Sequence, residues 1–311
     1  MPMLIDWHAH HTPPELVAEI ASLGGRAPKP DEYDSPRFSK RIAEMDGAGI
    51  DMQIVSQGAG VNADRFGPEQ AMGIVRKSND LIAERIALYP DRLMGSIAFT
   101  WADLAGSAQE IERMAQQEGF RAVLMFARGD MIGREDVEPI FATIARLNLP
   151  IFLHGGAGPT RQDPDLERLE DGGQGVIVSA FADAAVSDCV VRMIAAGLFD
   201  RYPNLQIVIR SSGGGVPLLL NKLWWKHKTP EGEQRYSDIL LQHFSVDCAS
   251  SSPRTFQFLV DTMGEGRVVF GSDFCGGLGP LERAMPVIQD QPDPWLLKTQ
   301  TELNSRALLH L

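Results

Sequence analysis

The sequence predicts an α/β protein folded as a closed (β/α)8 barrel of the TIM type, in a single domain over residues 1–311. Two observations carry that expectation. Short apolar runs alternate with helical stretches about eight times along the chain, which implies a parallel sheet covered by helices. The first run ends on histidines, where an open doubly wound sheet would carry a glycine-rich dinucleotide turn. A length of 311 residues suits one barrel, and 44% apolar residues suffice for a large core.

The first strand reads Leu4-Ile5-Asp6-Trp7-His8-Ala9-His10. Strand alternation puts Asp6, His8 and His10 on one face and Ile5, Trp7 and Ala9 on the other. Two imidazoles two residues apart on one face can chelate a single divalent ion. A helix over 16–23 follows, then a loop over 24–39 rich in glycine, proline and charge, and a helix over 41–48. Strands are expected at 51–57 and 93–98, separated by a long helix over 68–89, with another helix over 103–117. Strand 4 is the run 121–126, and strand 5 is 149–154, with Pro150 near its start where proline is tolerated. A long polar loop spans 155–177, and loops of that length are usually functional. A helix over 179–198 leads to strand 6 at 205–210, which Gly213-Gly214-Gly215 breaks. A helix over 216–227, strand 7 at 244–248, a helix over 253–263 and strand 8 at 268–270 follow. Helices near 280–289 and 294–309 close the chain.

In such a barrel the chemistry sits at the C-terminal ends of the strands. His8 and His10 end strand 1, His154 ends strand 5 and Asp273 ends strand 8. Three histidines and a carboxylate converging at one mouth form a donor set for one divalent ion, with zinc the first choice and manganese or iron as alternatives. His11 is the remaining histidine near that mouth and a candidate acid or base. His243 precedes strand 7 and belongs at the opposite end, His227 sits on a helix, and His310 is at the C-terminus.

Composition excludes several partners. The formal charge of −12 argues against nucleic acid and against an anionic membrane surface. The apolar runs are too short to span a bilayer. Three cysteines, with no close pair, point to a reducing, cytoplasmic setting, and no leader-type segment opens the sequence. An acidic protein that handles a small carboxylate needs local cations. Arg128 after strand 4, Arg161 in the loop after strand 5, Arg210 at the end of strand 6 and Arg41 are the candidates, because a guanidinium forks onto a carboxylate. Alternation turns Arg210 toward the helices. Cys275 stands where it could line the pocket, and Trp224-Trp225 admits a homodimer contact as readily as core packing.

Several segments resemble the amidohydrolase superfamily, and within it the branch of aminocarboxymuconate-semialdehyde decarboxylase and related decarboxylases, hydratases and hydrolases. They are Ile5-Asp6-Trp7-His8-Ala9-His10, Tyr89-Pro90-Asp91-Arg92-Leu93-Met94-Gly95 and Leu149-Pro150-Ile151-Phe152-Leu153-His154, with Tyr202-Pro203-Asn204-Leu205, Gly213-Gly214-Gly215-Val216-Pro217 and Phe270-Gly271-Ser272-Asp273-Phe274 further on. Asn304-Ser305-Arg306-Ala307-Leu308-Leu309 is similar to the family's closing helix. The resemblance implies that His8, His10, His154 and Asp273 hold one divalent metal, and that Arg41 falls where related decarboxylases place a substrate-binding arginine. It also implies a histidine at the end of strand 6 that orients or deprotonates metal-bound water. Ser211 stands at that position, and a serine hydroxyl cannot hold a proton near neutral pH as imidazole can. Asp273 or His11 is then left to act as base, or the reaction needs no activated water. These features lead to a metal-dependent decarboxylase of a small aromatic-derived acid. A hydrolase of an ester, lactone or carbon–carbon bond is the alternative, and a non-catalytic metal- or ligand-binding barrel the third reading.

Overall fold

Eight strands form one parallel sheet in the order β1 to β8: β1 Ile5–His11, β2 Met52–Gln57, β3 Leu93–Ala98, β4 Phe120–Phe126, β5 Ile151–His154, β6 Ile207–Ile209, β7 Phe244–Asp247 and β8 Val268–Val269. The computed structural model describes residues 2–25, 29–30, 38–156, 173–226, 236–277 and 281–311. The sheet curls until its edges meet. Trp7 N donates to Phe270 O, Phe274 N to His8 O and His10 N to Phe274 O, so the segment after β8 pairs back onto β1. The expected TIM-type barrel is therefore present, with helices outside it.

Strand alternation divides the apolar side chains into two layers. An inner cluster fills the barrel with Ile5, Trp7, Ile54, Leu124, Phe152, Val208 and Val269. An outer cluster that includes Ala9, Val55, Ile97, Val123, Leu153 and Ile209 packs with residues of the surrounding helices. Full burial of a side chain such as Phe152 stabilises by roughly 1.5–3 kcal/mol, so both layers favour this register over a one-residue slip. The C-terminal helix Asn304–Leu309 seals the lower end. Leu309 joins the inner cluster, and Trp7 Nε1 donates to Ser305 Oγ at 2.9 Å.

Simple alternation fails in β1. Pairing with β2 runs Ile5 to Met52 and Asp6 to Gln53, then resumes at Ala9 to Val55, so β1 holds one extra residue at a bulge. Ile5 and Trp7 consequently point into the barrel with His8 and His10, and Asp6 turns outward. That corrects the expectation that Asp6 shares a face with the histidines. Asp6 is fully buried and accepts from His8 N, Gln53 Nε2, Ser272 N and Ser272 Oγ, which ties β1 to β2 and to the segment after β8. A β-bulge re-aims side chains in this way where pairing is interrupted.

Element boundaries shift modestly from the sequence expectations. The helix after the long loop begins at Gly173 and runs to Ala195, with a short one at Leu198–Arg201. The C-terminal stretch is broken into Pro286–Gln289, Pro294–Lys298, a π-helical turn Thr299–Leu303 and Asn304–Leu309. Residues 31–37 and 157–172, with most of both loops, lie outside the described residues, as do Arg161 and His227. Trp224 and Trp225 fall on the helix Val216–Lys226, and their side chains are not among those described.

Candidate metal centre

His8, His10, His154 and Asp273 come together at the C-terminal mouth of the barrel, all four buried, each with one donor atom within 4.8 Å of the others. The Nε2 atoms of His8 and His10 face each other at 3.0 Å, and each lies 3.1 Å from Asp273 Oδ1. The rings meet edge-on, with His154 centred 5.2 Å from His8 and 4.9 Å from His10. His154 Nε2 is buried with no hydrogen-bond partner among the described residues.

Each imidazole is oriented from behind. His8 Nδ1 meets Asp247 Oδ2 at 2.8 Å, His10 Nδ1 meets Ser56 Oγ at 3.2 Å, and His154 Nδ1 meets the carbonyl of Gly155 at 2.8 Å. With Nδ1 engaged, each ring presents Nε2 to the centre, the arrangement metal-bound histidines adopt. Asp273 has left-handed backbone, φ 56°, and its Oδ2 accepts from Gly277 N at 3.0 Å. Two glycines leave room for this packing. A Cβ on Gly271 would lie 2.9 Å from Asp247 Cβ and 3.0 Å from His8 Cβ, and one on Gly276 would lie 1.9 Å from Asp273 Oδ1.

The charges suit a cation. Burial and the charge on His8 push His10 below its ordinary pKa, and burial, His10 and Arg210 push His154 well below it. Burial opposes ionisation of Asp273, but the His8 and His10 imidazoles outweigh it and hold the carboxyl well below the usual carboxylate range. For His8, burial is likewise overcome by the carboxylates of Asp247 and Asp273, which hold its pKa up at about 10. A bound divalent ion would engage the converging donor atoms of the four residues, including His154 Nε2, which has no partner among the described residues, so these residues fit a single metal.

The other expected site residues are placed less centrally. His11 continues β1 on the outer side, its ring edge-on to Phe38 at 4.9 Å, and it does not join the four ligands. Arg41 is fully buried in the helix layer. It donates to His10 O, to Gln53 Oε1 at 3.1 Å and to Cys275 Sγ at 3.4 Å, and it lies 4.6 Å above the Phe38 ring. Its observed contacts thus brace the strand that carries the histidines. Arg128 forks onto Asp130 at 2.8 and 2.7 Å near the surface. Arg210 pairs with Asp183 at 2.6 Å, and its buried Nε, with no partner among the described residues, borders Gly155 beside His154. Ser211 is half-buried, with φ 48° and ψ 68°, and opens a left-handed turn through Ser212 and Gly213. Asp247, Ser56 and Gly271 were missed from sequence. Alternation within β7 offers the one available signal for Asp247, which shares the inward face with Ser245.

The family model described as Amidohydrolase matches residues 5–308. The chain belongs to this family. The γ-resorcylate decarboxylase of Rhodococcus jostii is 29% identical over 255 residues, covering 75% of this chain and 76% of the relative. The 5-carboxyvanillate decarboxylase of Sphingomonas paucimobilis superposes with a TM-score of 0.81 at 24% identity, over 100% of both chains. The dihydroxybenzoic acid decarboxylase of Polaromonas sp. JS666, solved with manganese and 2-nitroresorcinol, has a TM-score of 0.79 at 21% identity, over 100% of this chain and 98% of the other.

Proposed function

We propose that the protein is a metal-dependent decarboxylase of a small aromatic carboxylic acid. The observation that carries this reading is the buried cluster of His8, His10, His154 and Asp273, with His154 Nε2 left without a partner among the described residues. The decarboxylases among the relatives support the reaction class.

His8, His10, His154 and Asp273 would hold the ion. Three nitrogens and one oxygen suit zinc by ligand type, whereas the Polaromonas relative holds manganese. When bound, the ion supplies a Lewis acid that grips the substrate carboxylate or a neighbouring oxygen. Asp273, held ionised, is the group that handles the proton. It collects the proton of a ring hydroxyl and delivers it to the ring carbon that bears the carboxylate. The bond to the carboxylate then breaks, CO₂ leaves, and the electron pair returns to the ring oxygen, which regains a proton from solvent. Arg210, beside His154 with one donor unengaged, is positioned to steady the substrate, and Arg128 adds positive charge near the mouth. Arg41 acts by fixing His10 through its carbonyl.

Ser211 separates this reading from hydrolysis. A hydrolase needs a base for its water, and the position that the family resemblance gives to histidine holds a serine that cannot serve. Decarboxylation needs no such base. The test is to load the protein with zinc or manganese and follow CO₂ release from hydroxybenzoates, 5-carboxyvanillate and carboxymuconate-type acids. Release from at least one is expected. Full metal occupancy with no CO₂ from any of them, and turnover of esters or lactones instead, would overturn the proposal.

A further inference from the structure

The lower end of the barrel carries a cavity that the metal chemistry does not use, its wall partly apolar through Leu149, Pro150, Ala307 and Leu308. Alternation along β8 aims Val269 into the inner core, Gly271 against His8 and Asp247, and Asp273 at the metal centre. Followed backwards, the same alternation aims Arg267 into the opposite mouth. There it lines a cavity of about 380 Å³ with Ser245, Gln206, Asn148, Asn304 and His310. A volume of this size accommodates a small metabolite.

Two features of the cavity call for a ligand. Arg267 is half-buried, and among the described residues its guanidinium donates only to neutral acceptors, Gln206 Oε1 at 3.0 Å and the Gln242 carbonyl at 2.6 Å. Burial pulls its pKa down, and no carboxylate among the described residues offsets that cost. In a chain with 41 acidic residues against 29 basic ones, this cation has no acidic partner among the described residues. Ser245 is the second feature. Its Oγ is buried, lines the cavity and has no hydrogen-bond partner among the described residues. A half-buried cation and an unengaged hydroxyl in one cavity are complementary to an anion with oxygen acceptors.

We propose that this cavity binds a small oxyanion, a carboxylate or a phosphate, seated on Arg267 with the Ser245 hydroxyl as second donor. The site is remote from the metal centre and does not depend on the reaction assigned there. Asn148 Nδ2 and His310 Nε2, 3.0 Å apart, bridge the rim between the start of β5 and the C-terminal helix.

Calorimetric titration of the metal-loaded protein with inorganic phosphate, and separately with acetate, tests the proposal. Binding of at least one in the millimolar range or tighter is expected, and the stronger of the two identifies the class. Arg267→Gln should weaken it by about tenfold or more, Arg267→Lys should keep part of it, and neither should change metal content. Ser245→Val removes a hydroxyl that has no hydrogen-bond partner among the described residues, so it breaks no bond seen there; it should weaken binding and serves if Arg267→Gln does not fold. Binding should persist in His154→Ala, which cripples the metal centre. The proposal falls if neither anion binds, if Arg267→Gln and Ser245→Val bind as tightly as the parent, or if binding disappears in His154→Ala.

Discussion

Asp247, the last residue of β7, reaches past β8 to β1 and sets its Oδ2 2.8 Å from His8 Nδ1. Its Oδ1 accepts from Ala249 N at 2.9 Å, so both oxygens are engaged and the carboxylate is fixed. The pair turns His8 Nε2 toward the other ligands and makes the imidazole a better donor to a cation. Asp247→Asn keeps the shape and removes the charge. Metal affinity should fall by about 10- to 100-fold, read by competition with a chelator, while circular dichroism stays unchanged. Equal affinity in the variant would mean that the carboxylate only packs.

Gly276 should tolerate no side chain. An added Cβ would overlap Asp273 Oδ1, the oxygen that faces both His8 and His10. Gly276→Ala should lose metal and CO₂ release together, yet retain its secondary structure. Elemental analysis of the purified variant decides: full occupancy would show that the carboxylate relocates freely.

Ser211 stands where the family resemblance places a histidine. Its backbone is left-handed, a region histidine enters more readily than most residues. Ser211→His should leave decarboxylation unchanged or lower it, because the reaction needs no activated water. A large gain in ester or lactone hydrolysis would instead mark a decayed hydrolase.

The three cysteines should differ sharply in reactivity. Cys189 and Cys248 are buried, and burial pushes both thiols up to about 12. Cys275 is half-buried, beside Arg41. A thiol reagent should modify Cys275 alone in the native protein and all three after unfolding. Early modification of a second thiol would show that the core opens more easily than its packing implies.

His243 should make the protein more sensitive to acid. It stacks on Phe199 at 4.4 Å and bonds the Leu205 carbonyl at 2.9 Å, and burial lowers its pKa below 6.5. Above about pH 6.5 the ring is neutral both folded and unfolded and adds no slope. As the pH falls from there to the lowered folded value, the unfolded chain binds the proton and the folded one does not, so stability declines. Below the folded value the loss is complete and constant. His243→Gln should flatten that part of the curve, measured by urea melts of the metal-loaded protein from pH 7 downward. An unaltered slope would assign the acid sensitivity elsewhere.

The ligands were legible because their positions follow from strand ends. His154 closes an apolar run, and Asp273 follows one by a short turn, so a barrel with chemistry at its C-terminal mouth was enough to group them with His8 and His10. Asp247 carried no comparable mark, since a lone acid after Phe244-Ser245-Val246 reads like any solvated strand end. Its role depends on how near β7 comes to β1 past β8. The bulge in β1 was equally hidden. It is a property of pairing between two strands, and local alternation placed Trp7 on the wrong face. Arg41 was read as a candidate substrate contact, and its burial and bond to His10 O also tie it to the strand that carries the histidines. Arginine's long stem allows both contacts, and only packing reveals the second.

The seam of the barrel lies between the first strand and the last. The final strand is only two residues long, and beyond it the join rests on a few backbone bonds and the contacts of Asp6 with Ser272. His8 and His10 stand on one side of that join and Asp273 on the other. An ion held by all three would therefore rivet together the two edges of the sheet, where its wall is thinnest. Cofactor loading and mechanical integrity would then be one property of this fold, and demetallation should open the barrel first at that join.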